Sequence, residues 1–213
     1  MFMCLGNVLI FGDSYSTFKG FIPQGYVDYY RPEGNPKTDL LHVEETWWHK
    51  LITETNSTLL LNDSWSGSTV CNTGYNGDCS KTNSFICRFN KYKNNGFFDQ
   101  NRIDTIFIFG GTNDSWANSP LGEVKFENFT ENDLFCVLPA MSYLLKGLCE
   151  VLPNAKIYCL INTELKPAIA TGFKEIALHY NATAIQFETI DKQNGHPTIK
   201  GMENIKTQIL KQL

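Results

Sequence analysis

Five short apolar runs constrain what this chain can fold into. Residues 7–11, 58–61, 105–109, 156–161 and 182–187 are each four to six residues long and bounded by turn formers or polar residues. They lack a sustained apolar–polar alternation, so they read as strands buried on both faces. Segments with helical spacing lie between them. Residues 45–54 carry Trp47, Trp48, Leu51 and Ile52. Leu134, Leu138, Met141, Leu145 and Leu148 step by four, three, four and three, an amphipathic stripe. Pro139 interrupts that stripe, so the helix begins near it or kinks there. Residues 173–180 and 199–210 complete the alternation, with a weaker helical signal over 84–93. Repeated strand–helix alternation requires parallel pairing with crossover helices on both faces. The fold class expected is α/β: a three-layer α/β/α sandwich with a five-stranded parallel sheet.

The 213 residues fit one domain, expected to span 1–213, because no repeat, low-complexity segment or linker divides them. Residues 19–44, rich in Gly, Pro and Tyr and without periodicity, form a long loop expected over the rim of the sheet. With 18 basic and 22 acidic residues the net charge is −4, which argues against nucleic acid or an anionic membrane surface as partner. No apolar run approaches the ~20 residues of a membrane span. Residues 1–6 are too short for a signal peptide, and a cytoplasmic location is expected, with a trimmed leader as the alternative. The seven cysteines show no Cys-x-x-Cys, and the four histidines do not pair at metal-ligand spacing. Cys71, Cys79 and Cys87 recur every eight residues. A bridge among them in an oxidising compartment is one reading; reduced structural thiols is the favoured one.

In a doubly wound sheet, ligands bind outside the carboxyl ends of the strands. Four such ends stand out: 12–16, 62–69, 110–116 and 189–198. Gly12-Asp13-Ser14 places a hydroxyl where the chain leaves the first strand, and Gly67 can bring a main-chain N–H close to a ligand. The Asn113 amide can face an oxyanion, and His196 is the one histidine at a strand's carboxyl end. Each segment alone reads as a cap or turn. Together they place a nucleophile, two oxyanion donors and a base on one rim, the set needed for acyl transfer.

These blocks resemble those of the SGNH hydrolases, also called GDSL-type lipases and esterases. The matching residues are Gly12-Asp13-Ser14-Tyr15-Ser16, Asn62 through Thr69, Gly110-Gly111-Thr112-Asn113-Asp114 and Gly195-His196-Pro197-Thr198, in family order over nearly the whole chain. The resemblance implies a flavodoxin-like sheet, Ser14 as nucleophile and His196 as base. It also implies an oxyanion hole of Ser14, Gly67 and Asn113, and no metal or organic cofactor. Family members usually carry an Asp three residues before the His, where this chain has Gln193. Asp191 is assigned as the orienting acid; the competing reading is a Ser–His dyad held by Gln193 or a main-chain carbonyl. The implied activity is hydrolysis of a small-molecule or glycan ester, with Trp65, Trp116 and Tyr15 as candidate substrate contacts. The rival is a catalytically weak or inactive ligand-binding domain on the same sheet. Oligomeric state is not legible.

Overall fold

The protein is described by a computed structural model covering residues 4–213, so the expected domain span begins outside the described residues. Strand β1 (Asn7–Gly12) lies between β2 (Thr58–Ser64) and β3 (Thr105–Phe109). Strands β4 (Lys156–Ile161) and β5 (Thr183–Gln186) extend the sheet beyond β3. The order β2-β1-β3-β4-β5, all parallel, is the flavodoxin-like winding, with its switch point between β1 and β3.

Helices α1 (Trp47–Glu54) and α5 (Ile199–Leu210) cover one face, and α2 (Phe85–Asn94), α3 (Val137–Val151) and α4 (Pro167–His179) the other. The strands are apolar on both sides because each side has a core. Ile106 and Ile108 of β3 pack in the α2–α4 layer while Phe107 and Phe109 pack in the α1–α5 layer. Among the described residues, no helix is long and apolar enough to cross a membrane.

The elements differ from expectation in places where tertiary pairing decides. Strand β2 continues past the expected residue 61 to Ser64, because its ladder with β1 goes on through Ile10–Asn62, Phe11–Asp63 and Gly12–Ser64. Helix α3 begins at Val137, with Pro139 in its first turn, where the missing N–H has no helical partner to lose. Leu134 therefore falls in a separate 3-10 turn, Asn132–Phe135. Helix α4 begins at Pro167 rather than near residue 173. Cys71, Cys79 and Cys87 are all free thiols, so there is no bridge among them.

The polar end of β2 is held by Arg88 of α2, which is 1% exposed and uses all five N–H donors. Nη1 binds Asp63 Oδ2 at 2.6 Å and the Asp63 carbonyl; Nη2 binds the Gly12 carbonyl and Ser68 Oγ, both at 3.1 Å; Nε binds the Asn83 carbonyl at 3.2 Å. The Tyr92 hydroxyl donates to the other Asp63 oxygen at 2.8 Å. Removing one member leaves the others buried and unpaired, a loss of roughly 3–5 kcal/mol. Arg88→Met should therefore lower the urea unfolding midpoint by an amount equivalent to about 3–5 kcal/mol. A cost below about 1 kcal/mol would show that the network is not supporting the strand end.

Candidate active site

Strand β1 ends at Gly12, which lies so close to β2 that a Cβ would collide with Ser64 Oγ. Ser14 then opens a single 3-10 turn, Ser14–Ser16, capped by Asp13 Oδ1, which accepts the Tyr15 N–H at 3.0 Å. His196 comes from a small ribbon in which Lys192–Gln193 pairs antiparallel with His196–Pro197. Its two-residue turn, Asn194-Gly195, has φ of +51° and +76°, the type I′ requirement that Asn-Gly meets best. His196 Nε2 lies 2.9 Å from Ser14 Oγ, and Nδ1 lies 3.2 Å from the Asn194 carbonyl. A carbonyl only accepts, so Nδ1 carries the proton and Nε2 is left as acceptor for the Ser14 hydroxyl.

The expected contact between Asp191 and His196 is not formed. The Asp191 carboxylate accepts a hydrogen bond from the Thr198 hydroxyl and faces Lys200 Nζ at 4.0 Å. The ribbon explains this: Gln193 and His196 are cross-strand partners, and the turn itself delivers the Asn194 carbonyl to Nδ1. Asp191 instead holds Thr198, the N-cap of α5, accepting from its N–H and its hydroxyl.

Asn113 lies in the first turn of the short helix Thr112–Trp116 after β3 and is 3% exposed. Its Nδ2 donates to the Ser68 carbonyl at 3.0 Å and to Asp13 Oδ2 at 3.3 Å, while its Oδ1 accepts from the Tyr75 hydroxyl at 2.9 Å. That phenol orients the amide, with its N–H₂ group toward the strand ends. Gly67 has φ +81° and open space before its Cα. The chain on either side of it is tied down, Ser66 N–H to Val27 and Ser68 N–H to Trp65. Asp114 joins this loop to the Asn113 turn by accepting the N–H groups of Val70 and Cys71.

Burial sets the electrostatics. It lowers the His196 pKa below its ordinary value, with the nearby Lys192 and Lys37 charges acting in the same direction and the Asn194 carbonyl opposing them. The imidazole is thus neutral at neutral pH. Burial pushes Asp13 up to about 7, aided by Asp114, and pushes Asp114 up to about 6 against its main-chain N–H donors. Asp13 thus holds its proton into the neutral range beside Asn113, where a permanent anion would compete for the amide.

The three expected substrate contacts part ways. Tyr15 is fully buried, donating to the Gly195 carbonyl and accepting from Asn162 at 3.3 Å, so it supports the histidine turn instead of lining a substrate surface. Trp65 is covered by Tyr26, with ring centroids 4.1 Å apart. Trp116 remains 42% exposed, edge-on to His196 at 5.8 Å. The long loop is stitched to three of the four blocks around the site. Tyr29 N–H binds Thr17 Oγ1, the Tyr30 hydroxyl binds the Pro197 carbonyl, and Asn194 Nδ2 binds the Lys37 carbonyl.

Sequence reasoning passed over Arg88, Tyr75 and Asn162. Asn162, just past β4, links Tyr15, Thr112 and Lys192. Its position at a strand's carboxyl end was the available signal. The other two carried none, because Arg88 lies in a helix pattern and Tyr75 in an aperiodic loop.

The sequence model of the GDSL-like lipase/acylhydrolase family matches residues 6–213. A protein described as a GDSL-like lipase from Bacteroides ovatus is 45% identical, with a TM-score of 0.88 and 96% of each chain covered. A second, from Bacteroides uniformis, is 40% identical with a TM-score of 0.90, covering 98% of this chain and 95% of that one. An acetyl xylan esterase from the rumen bacterium Butyrivibrio proteoclasticus shares the fold at 16% identity and a TM-score of 0.62, covering 98% of this chain and 63% of its own. No curated protein sequence matches the chain.

The geometry separates Asp191 from the reacting groups, and Asp191→Asn tests that separation. The variant should keep turnover within about threefold of the parent, whereas a carboxylate acting on the imidazole would cost about 10⁴. Steady-state kinetics on a nitrophenyl ester decides between them.

Proposed function

The chain belongs to the GDSL-like lipase/acylhydrolase family, and from that premise we propose that it is a serine esterase working through an acyl-enzyme on Ser14. The observation that carries the reading is the 2.9 Å contact between His196 Nε2 and Ser14 Oγ, with Nδ1 held on a carbonyl. Ser14 Oγ attacks the ester carbonyl carbon while His196 takes its proton. The tetrahedral oxyanion collects the main-chain N–H groups of Ser14 and Gly67 and one N–H of Asn113. The 3.3 Å contact from Asn113 to Asp13 is the longer of its two donations and is the one the oxyanion replaces. Collapse expels the alcohol, which takes the proton from His196, and water repeats the sequence to free the acid. The pair acts as a dyad, since a neutral carbonyl fixes the tautomer without neutralising the imidazolium. Every step uses side chains and main-chain amides of this chain.

The substrate reading is a short acyl group, such as acetyl, on a carbohydrate. Two exposed aromatic rings support it: Trp116 beside His196, and Tyr75, 52% exposed, on Asn113. Flat rings at a rim suit sugar faces, and the fold is shared with an acetyl xylan esterase. The absence of a carboxylate at Nδ1 among the described residues favours the second reading, a binding domain with weak chemistry.

Hydrolysis of p-nitrophenyl acetate together with fluorophosphonate labelling separates the two. Turnover and labelling should both vanish in Ser14→Ala, and Asn113→Ala should lose about 10²–10³ in kcat while staying folded. Equal background rates with no label would leave the binding domain. In an acyl-length series, acetyl esters should be turned over faster than octanoyl esters; the reverse order would overturn the carbohydrate reading.

A further inference from the structure

Tyr29 lies in the long loop, outside every catalytic block and 167 residues before His196, yet its ring is stacked on that of His196. The centroids are 3.6 Å apart and the planes 8° from parallel. The main chain at this residue is fastened on both sides: its N–H donates to Thr17 Oγ1 at 2.9 Å and its carbonyl accepts from Asn35 Nδ2 at 3.1 Å. The phenol oxygen is buried and has no hydrogen-bond partner among the described residues, so it is the ring and not the hydroxyl that meets the imidazole. Tyr15, at 5.5 Å and tilted, and Trp116, at 5.8 Å and edge-on, complete an aromatic surround.

We propose that Tyr29 is a positioning residue whose ring face holds the His196 imidazole in line with Ser14 and supports its charged form, in the role a carboxylate would otherwise fill. The inference rests on the Ser14–His196 reading above. Of the remaining groups facing the ring, the Asn194 carbonyl favours the cation through one hydrogen bond but carries no charge, and Lys192 and Lys37 are positive and oppose it. An aromatic face attracts a cation, most strongly when water is excluded. The attraction grows as His196 takes the Ser14 proton, so it is larger in the transition state than before it.

Tyr29→Phe, Tyr29→Leu and Tyr29→Met test this. Phe keeps the ring face and should retain kcat within about twofold. Leu and Met keep apolar cover but no π face, and should lower kcat about 3- to 30-fold. They should also lower the His196 pKa, so the acid limb of kcat/KM moves to lower pH, because the base is active when neutral. The pKa is read directly by NMR titration of the imidazole, assigned with His196→Gln. Equal losses in Phe and Leu, or a loss with the pKa unmoved or raised, would overturn the proposal. The titration needs no turnover, so an inert site and a wrong role for Tyr29 give different results.

Discussion

The Arg88 guanidinium is the interaction on which the site's geometry depends. Its donors reach the last residue of β1, the polar end of β2 and the loop that follows β2. Ser14 lies two residues beyond the first of these contacts, and Gly67 is adjacent to Ser68. One planar, always-charged group therefore sets the separation between the Ser14 turn and the Gly67 loop. A buried ion pair of this kind adds little net stability compared with apolar packing, but it tolerates little displacement.

The switch point between β1 and β3 supplies the rest. Because those strands are neighbours whose chains depart to different helices, the turns after them open onto a shared crevice. Asn113 and Asp114 enter from the β3 side and bind back to Asp13, Ser68, Val70 and Cys71. The turns are thus cross-linked by buried hydrogen bonds whose donors and acceptors would be costly to leave unmade. Such preorganisation costs nothing at the moment of reaction, which is what oxyanion stabilisation requires.

His196 is held differently. It sits on a two-residue hairpin that protrudes from the sheet, and its ring is positioned by the hairpin's own carbonyl and by an aromatic surround drawn from three separate segments. The long loop is therefore part of the site's architecture. It binds the turn after β1, the loop after β2 and the histidine ribbon, and its Tyr29 meets the imidazole directly.

The alternation of apolar runs and amphipathic segments was enough to read the parallel three-layer sheet, since local hydrophobic periodicity reports which faces are buried. Two runs, 105–109 and 156–161, match β3 and β4 residue for residue. The residues placed at strand ends, Ser14, Asn113 and His196, were legible because topology sends every parallel strand's carboxyl end to one rim. What only the tertiary structure decided concerns contacts between segments distant in sequence. Strand β2 extends through Asn62, Asp63 and Ser64 because it stays paired with β1 and because distant partners satisfy its polar side chains, the Ser16 carbonyl for Asn62 and Arg88 for Asp63, and no local pattern records those partners. Asp191 turns away because the Asn194-Gly195 hairpin sets the register, which puts a carbonyl on Nδ1. Tyr29 reaches His196 across 167 residues of chain, and an aperiodic loop carries no signal of where its side chains will land. Periodicity encodes burial, which is local and additive; the pairing of a buried charge or a stacked ring depends on shape and direction, which exist only once the chain has closed on itself.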